Sequence, residues 1–390
     1  MNYHFMKNKH HLYQGIDQEI GEMKSAEHPI SDDESDGESP NKDRSDSNQL
    51  IQPLGRDITI NCLLRLPRSD YGVVASLNRC FRSLVRSGEL YKLRRWAGIS
   101  EQWVYISCSP LEWEAFDPDR RRWMRLPRMP PNDCFMLSDK QSMSIGTDLL
   151  VFGKEVMSHT ILRYSILTNS WSYCTPMKTP RCLFGAASFG QIAIFAGGVN
   201  AQGIVLSCVE LYNSETGTWM TLPSMNKPRK SCSGTFLNGK FYIMGGIGSN
   251  SVSYTCGEEY DLEKRSWRII PDVYPVTCVP TSPPLSIAAV NNELYAADHA
   301  QRELRKYDKQ KKRWVILGRL PEGVVSTNGW GIGFRGCGKR IVVVGTVRGM
   351  RGTGTVEIFS WEPVDGVPRW ELLASRPFGS FVYNCTVMDC

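Results

Sequence analysis

From about residue 100 onward, apolar residues fall in short runs that alternate with polar ones and stop at glycine. Gln191–Gly198 reads QIAIFAGG, Lys240–Gly246 reads KFYIMGG and Arg340–Gly345 reads RIVVVG. Alternation with period two puts successive side chains on opposite faces of a strand, and no stretch of this region has an apolar pattern of helical period long enough to compete. Six tryptophans punctuate the pattern: Trp123, Trp171, Trp219, Trp267, Trp314 and Trp370, with gaps of 48, 48, 48, 47 and 56 residues. An aromatic lies seven residues before each of the first five (Phe116, Tyr164, Tyr212, Tyr260, Tyr307), and Phe359 lies eleven before the sixth. A glutamate often stands two residues ahead of that aromatic, as Glu114, Glu210, Glu258 and Glu357. Each repeat therefore predicts four strands: an inner one like GAASF, a second ending in Gly-Gly, a third carrying the Tyr, and an outer one starting at the Trp.

A period near 50 with four strands per unit is the signature of a β-propeller. One four-stranded blade cannot bury its own faces, whereas blades stacked around an axis can, leaving only short edges. Gly197-Gly198 and Gly245-Gly246 end a strand where the backbone turns and positive φ is useful. The repeat tryptophans are expected between blades, where losing one costs about 3–5 kcal/mol. The first unit, Trp103–Ile106, Ala115–Asp117 and Trp123–Leu126, lacks an inner strand, and a spare strand, Phe381–Met388, follows the last Trp. The economical arrangement is a ring of six blades in which the last strand completes the first blade.

Residues 54–98 follow a different pattern. Ile58, Cys62, Leu63 and Leu66 share one face of a helix that stops at Pro67. Asp70 is positioned to cap a second helix with Val73, Val74 and Leu77 as its apolar positions. Phe81, Leu84 and Val85 mark a third, and Ser87 opens SGELYKLRRWAG, which Gly98 ends. So small a unit cannot bury all this surface alone, so it packs on the propeller or presents a face to a partner.

The repeat resembles the kelch motif: Pro180-Arg181 and Pro228-Arg229, then Gly-Gly, then Tyr and Trp at fixed spacing. The resemblance covers about three quarters of the chain. Gly-Gly becomes Gly153-Lys154, Ala297-Asp298 and Gly345-Thr346 in blades two, five and six. Leu54 to Leu84 resembles an F-box. It keeps Leu54, Asp57 and Ile58 of the opening with Gly55 in place of the usual proline, and Leu63, Leu66 and Pro67 of the core. It has Leu77-Asn78-Arg79-Cys80-Phe81-Arg82 where the family commonly has Val-Cys-Lys-x-Trp-Arg. Together the two resemble the plant F-box/kelch-repeat proteins. That resemblance implies a substrate receptor of an SCF-type ubiquitin ligase. Leu54, Ile58, Leu63, Leu66, Pro67 and Leu77 would dock a Skp-family adaptor and, through it, a cullin, while the propeller holds a target protein. The alternative is a kelch scaffold without ligase association, its helical segment only packing against the ring.

Charge adds a third segment. Residues 17–47 hold eleven acidic and three basic side chains, a net of −8 in a chain of +6. Rich in Ser and Asp and almost devoid of apolar side chains, this stretch cannot offset its ordering entropy by burial. The expected organisation is a disordered acidic tail over 1–49, an F-box helical segment over 50–98, and an all-β, six-bladed kelch-type propeller over 101–390. The thirteen cysteines are scattered, odd in number and without a C-x-x-C pair, as expected for reduced thiols in the nucleus or cytoplasm. No apolar run reaches the ~20 residues of a membrane span, and MNYHFMKNKHHLYQG contains no signal-peptide core.

Candidate chemistry is sparse, and the chain is expected not to be an enzyme. His159 and His299 lie in blades two and five, well apart around the ring, and no His, Cys and Asp cluster has metal spacing, so no cofactor is expected. Gly331–Gly336 is formally G-x-G-x-x-G but leads into a strand, with no helix N-terminus to meet a pyrophosphate. Arg120–Arg122 and Lys309–Arg313 precede repeat tryptophans on hairpin tips, without the exposed aromatics that nucleic-acid binding needs. Arg181 and Arg229 begin equivalent loops on one face of the ring. They are the expected target-binding residues, together with Asn200 and Asn250 in the loops that follow Gly-Gly, unless each arginine pairs inside the ring.

Overall fold

The computed structural model describes residues 54–136, 141–154, 159–274, 284–322, 324, 330–348, 354–364, 366–379 and 381–390. The expected acidic tail over 1–49 lies outside the described residues. By internal packing the chain divides into two units, residues 1–59 and 60–390.

Of the first unit, residues 54–59 are described. They form the start of helix α1 (Gly55–Leu64), with Thr59 Oγ1 donating to the Gly55 carbonyl at 2.7 Å. Gly55 has φ +71°, which proline, fixed near −65°, cannot adopt. The departure from the family's Leu-Pro opening thus has a backbone consequence.

In the second unit, α2 (Tyr71–Leu77), α3 (Arg79–Arg86) and α4 (Glu89–Trp96) follow a single 3₁₀ turn at Arg68–Asp70. Asp70 does not cap α2: it has helical φ/ψ, its side chain makes no cap hydrogen bond, and one carboxylate oxygen accepts from Ser69 Oγ. The capping signal lies instead at Asn78, whose Oδ1 accepts from Phe81 N–H at 2.9 Å and starts α3. Tyr71, Val74, Phe81, Leu84, Val85 and Leu90 are buried.

Six four-stranded antiparallel sheets make the rest. Blade one contains β1 (Gln102–Ser109), β2 (Glu112–Asp117) and β3 (Arg122–Arg125). The short helix α5 (Asp133–Met136) leads to blade two: β4 (Gln141–Ile145), β5 (Asp148–Lys154), β6 (His159–Ser165) and β7 (Ser170–Tyr173). Blade three is β8 (Gly185–Phe189), β9 (Ile192–Ala196), β10 (Val209–Asn213) and β11 (Thr218–Leu222); blade four is β12 (Ser233–Leu237), β13 (Lys240–Met244), β14 (Gly257–Asp261) and β15 (Ser266–Ile270). Blade five is β16 (Ser286–Val290), β17 (Glu293–Asp298), β18 (Glu303–Asp308) and β19 (Arg313–Arg319). Blade six is β20 (Gly333–Cys337), β21 (Arg340–Arg348), β22 (Gly354–Trp361) and β23 (Glu371–Pro377). The final strand, β24 (Asn384–Asp389), is the inner strand of blade one, paired with β1 from Gln102↔Asp389 to Ser107↔Asn384. The inner strands touch in the cycle β24, β4, β8, β12, β16, β20 and back to β24, which closes the ring.

The apolar clusters lie between neighbouring blades. Ile194, Leu211, Phe241 and Ile243, for example, fill the gap between blades three and four. The repeat aromatics are cross-strand pairs, such as Tyr212↔Trp219 with ring centroids 4.9 Å apart and Tyr260↔Trp267 at 4.8 Å. The indoles of blades two to six then reach back one blade. Trp171, Trp219 and Trp267 donate Nε1–H to the carbonyls of Pro127, Thr175 and Pro223 at 2.7, 2.9 and 2.7 Å. The tryptophans are half-buried while their Tyr and Phe partners are buried, so the full core cost expected of the Trp belongs to its partner. Blade six differs from expectation. A register shift between Ile358 and Phe359 sets Phe359 opposite Leu372, and Trp370 meets Trp361 instead, at 6.1 Å.

Candidate functional site

The helical part of the second unit is joined to blade one by two buried arginines and one carboxylate. Arg94 donates Nη1–H to the carbonyls of Leu64 (3.0 Å), the last residue of α1, and Leu66 (2.7 Å), just past it, and to Tyr71 Oη (3.3 Å). Its Nη2 pairs with Glu101 Oε1 at 2.8 Å. Glu101 also accepts from the Arg68 backbone N–H (3.1 and 3.2 Å) and from Trp103 Nε1 (3.3 Å). The Arg68 guanidinium lies 4.3 Å from the centre of the Trp103 ring and donates to Tyr105 Oη (3.2 Å) and to Cys390 Sγ. Burial pushes the Tyr105 phenol to about 12 and raises the Cys390 thiol, so both stay neutral as acceptors. Helical periodicity gave no sign of these residues. The sequence hint was the pairing of a basic helix end, Arg94-Arg95, with an acid at the mouth of the first strand.

The six residues expected to dock an adaptor do not share one environment. Leu54 and Ile58 are exposed on the first unit. On the second, Leu77 is 65% exposed, Leu66 and Pro67 are half-buried, and Leu63 is buried, with its carbonyl accepting from Tyr71 Oη at 3.1 Å. Leu63 therefore belongs to the packing of the helices. Val73, assigned above to the apolar face of α2, is 65% exposed and sits four residues before Leu77, one turn away on the same side of the helix.

Arg181 and Arg229 correct the expectation more sharply: both side chains are fully buried and consumed by their own blade. Arg229 Nη2 pairs with Glu258 Oε1 at 2.7 Å, and its Nη1 donates to the carbonyls of Gly245 (2.7 Å) and Cys256 (3.1 Å). Arg181 repeats the pattern, with Glu210 Oε1 at 2.5 Å and the Cys208 carbonyl at 2.7 Å. The glutamates finish the motif by accepting backbone N–H groups of the entry loop: Lys178 and Thr179 for Glu210, Asn226 and Lys227 for Glu258. In blades three and four this is why a Glu stands two residues before the repeat aromatic, whereas Glu114 pairs with Arg125 and Arg376 and Glu357 accepts from Ser375 Oγ. Arg181 and Arg229 clamp the loops and are not available to a target.

The clamps make a fixed platform of the loops Gly197–Cys208 and Gly245–Cys256. Gly197 (φ +68°) would place a Cβ 2.2 Å from the Arg229 carbonyl of the next blade, so only glycine permits the approach. Asn200 Oδ1 accepts from Gln202 and Ile204 N–H (3.1 and 2.9 Å), and Asn250 adopts φ +58° at the equivalent turn. Both asparagines thus shape loops whose outermost apolar residues are Ile204, 60% exposed, and Val252, 52% exposed. These two stand 48 residues apart, the repeat period, which was the available signal for them.

His159 and His299 stay apart in blades two and five, and burial lowers the pKa of both. Among the described residues, no group of three or more His, Cys, Asp and Glu side chains is placed to hold a metal ion. Among them, too, no helix is long and apolar enough to cross a membrane. Cys337 and Cys385 are buried thiols in blades six and one, and burial raises them to about 12 and about 11.

Comparison with known proteins matches this arrangement. The Kelch motif family model matches residues 180–226 and 228–273, which are blades three and four with their entry loops. The chain is 54% identical over 360 residues to the F-box/kelch-repeat protein SKIP11 of Arabidopsis thaliana, covering 89% of this chain and 77% of that protein. A second Arabidopsis thaliana F-box/kelch-repeat protein is 51% identical over 373 residues, covering 93% and 88%. The solved structure of YjhT superposes with a TM-score of 0.51 over 69% of this chain and 94% of that one, at 13% identity, a likeness of fold alone. With relatives this similar over more than three quarters of their length, the chain belongs to the F-box/kelch-repeat protein family.

Proposed function

We propose that this chain is the substrate receptor of an SCF-type ubiquitin ligase. The F-box segment over 50–98 docks a Skp-family adaptor and thereby a cullin, and the propeller over 101–390 holds a target protein. The carrying observation is the pair Val73 and Leu77: two large aliphatic side chains one turn apart on α2, both 65% exposed although Val74 between them is buried. Solvent alone gives no reason for that arrangement, and a partner helix would. Leu54 and Ile58 are the exposed aliphatic side chains of the first unit assigned to the adaptor, while Leu63 supports the helices of the second from within. Target binding falls to the loops carrying Asn200 and Asn250. No residue of this chain performs acyl transfer in this reading: the ligase acts by bringing target and ubiquitin donor together, in the nucleus or cytoplasm.

The test is co-purification of a Skp-family adaptor with the full chain. A carboxylate forced into a desolvated contact without a partner costs about 3 kcal/mol, on the order of a hundredfold in affinity. Val73→Asp with Leu77→Asp should abolish adaptor recovery while thermal midpoint and circular dichroism stay unchanged, because both positions face solvent in the free chain. Leu63→Asp should lose adaptor and helical stability together. Undiminished recovery with the Val73/Leu77 double variant would favour a kelch scaffold without ligase association.

A further inference from the structure

We propose that the loop platform of blades three and four recognises an acidic, aliphatic-containing segment of the target protein; this rests on the receptor reading above. The platform is continuous across the two blades. Met225 N–H and Arg229 N–H of blade four's entry loop donate to the Ser207 and Leu206 carbonyls of blade three (2.9 and 3.1 Å). Ser231 N–H donates to the Leu183 carbonyl at 2.8 Å, linking the two entry loops. Each loop is also bridged internally, Val199 between Cys182 and Val205, and Ile247 between Lys230 and Ser253. A surface held this way loses little conformational entropy on binding.

Aliphatic tips and lysines on this platform point to a ligand. Ile204 and Val252 are exposed aliphatic tips in equivalent positions, so they present a repeated apolar contact rather than one stray side chain. Leu183 and Ser231 occupy equivalent sites with φ +56° and +49°. That left-handed conformation is costly for leucine, and it fixes the path of the entry loop that carries the surface. Lys178 is exposed and Lys227 and Lys230 are half-buried, while Asp272, a carboxylate bonded to these loops from outside the clamps, is held by Thr255 Oγ1 at 3.1 Å. Among the described residues none of the three has a carboxylate within ion-pair range, and Lys227 rests its ammonium 5.2 Å from the Tyr254 ring. Glu210 and Glu258, which accept the backbone N–H groups of Lys178 and Lys227, are already spent on Arg181 and Arg229. Lysines without a carboxylate partner, on the same loops as aliphatic tips, fit carboxylates interleaved with apolar side chains.

A random dodecapeptide phage library selected against the purified full chain tests this directly. The expected outcome is enrichment of Asp and Glu within two positions of Leu, Ile, Val, Met or Phe. Lys178→Glu, Lys227→Glu and Lys230→Glu together should reverse the charge preference of the selected pool. Ile204→Asp with Val252→Asp should cut capture of the selected peptides at least tenfold, with unchanged thermal midpoints in both variants. Selected peptides without acidic enrichment, or the same pool captured by the lysine variant, would overturn the proposal. So would tighter capture of a mixed-sequence single-stranded RNA through the same lysines, or dimers in light scattering that vanish with the Ile204/Val252 variant. Adaptor co-purification is read on the same preparations. Its absence with peptide selection intact would remove the ligase reading and leave the surface standing.

Discussion

Removing residues 379–390 is expected to leave a chain that is insoluble or that melts at least roughly 15 °C below the full one. The deletion takes away β24, which supplies blade one with its inner strand and all six register pairs to β1. Cys385, Met388 and Cys390 are buried, and withdrawing such side chains forfeits about 1.5–3 kcal/mol each. Together that approaches the whole ~5–15 kcal/mol by which an ordinary domain is stable. Two further losses add to it. The edge of β1 becomes an unpaired row of N–H and C=O groups, which templates aggregation, and the inner strands β4 and β20 lose the neighbour between them. Arg68 also loses its contact to Cys390, so the damage extends to the junction with the helices. Replacing the same residues by a Gly/Ser tail of equal length should not rescue the chain, which separates the strand from mere length. A truncated chain with the full chain's melting midpoint would mean that the ring does not depend on this closure.

The ring was legible because a propeller writes its geometry into the sequence at fixed intervals. Trp219 and Trp267 recur at the period because each has the same task, stacking on its Tyr and donating to a carbonyl one blade back. Blade six departs from the period at one point: Trp361, not Phe359, is the ring partner of Trp370 because the register shifts by one residue, and spacing alone cannot distinguish two aromatics two apart on the same face. The helical segment was legible as helices but not in its orientation. A seven-residue helix such as α2 carries Val73, Val74 and Leu77 within one turn, and only tertiary packing decides that Val74 goes in while the others stay out. The arginines failed for a different reason. A charge seen in sequence has no visible partner, and Glu210 and Glu258 lie 29 residues downstream of theirs. Both halves of the clamp were nevertheless periodic, Pro-Arg in the entry loop and Glu before the Tyr, and two opposite charges recurring at the same phase are a pairing signal.

That clamp sets the second large effect. Arg229→Ala is expected to destabilise the propeller by about 3–5 kcal/mol, because it strands a buried carboxylate rather than merely deleting a contact. Glu258 has no exposed surface and would keep only the N–H groups of Asn226 and Lys227 and the Asn226 amide, while the carbonyls of Gly245 and Cys256 would lose their donor. Each unsatisfied buried acceptor contributes about 1–3 kcal/mol of the loss. In thermal unfolding this is a fall of roughly 6–12 °C at the few degrees per kcal/mol typical of larger domains. Arg229→Lys keeps the charge but replaces a planar fork by a single point donor that cannot serve the carboxylate and both carbonyls at once, so its loss should be intermediate. Arg229→Met combined with Glu258→Gln removes both charges and should recover part of the loss, since an absent pair is cheaper than a broken one. The same set of variants also separates clamp from contact. If Arg229 only holds the loops, the peptides captured by Arg229→Lys at a temperature well below its midpoint should match those of the parent chain. An Arg229→Ala protein with an unchanged midpoint and an altered set of captured peptides would return this residue to the target surface.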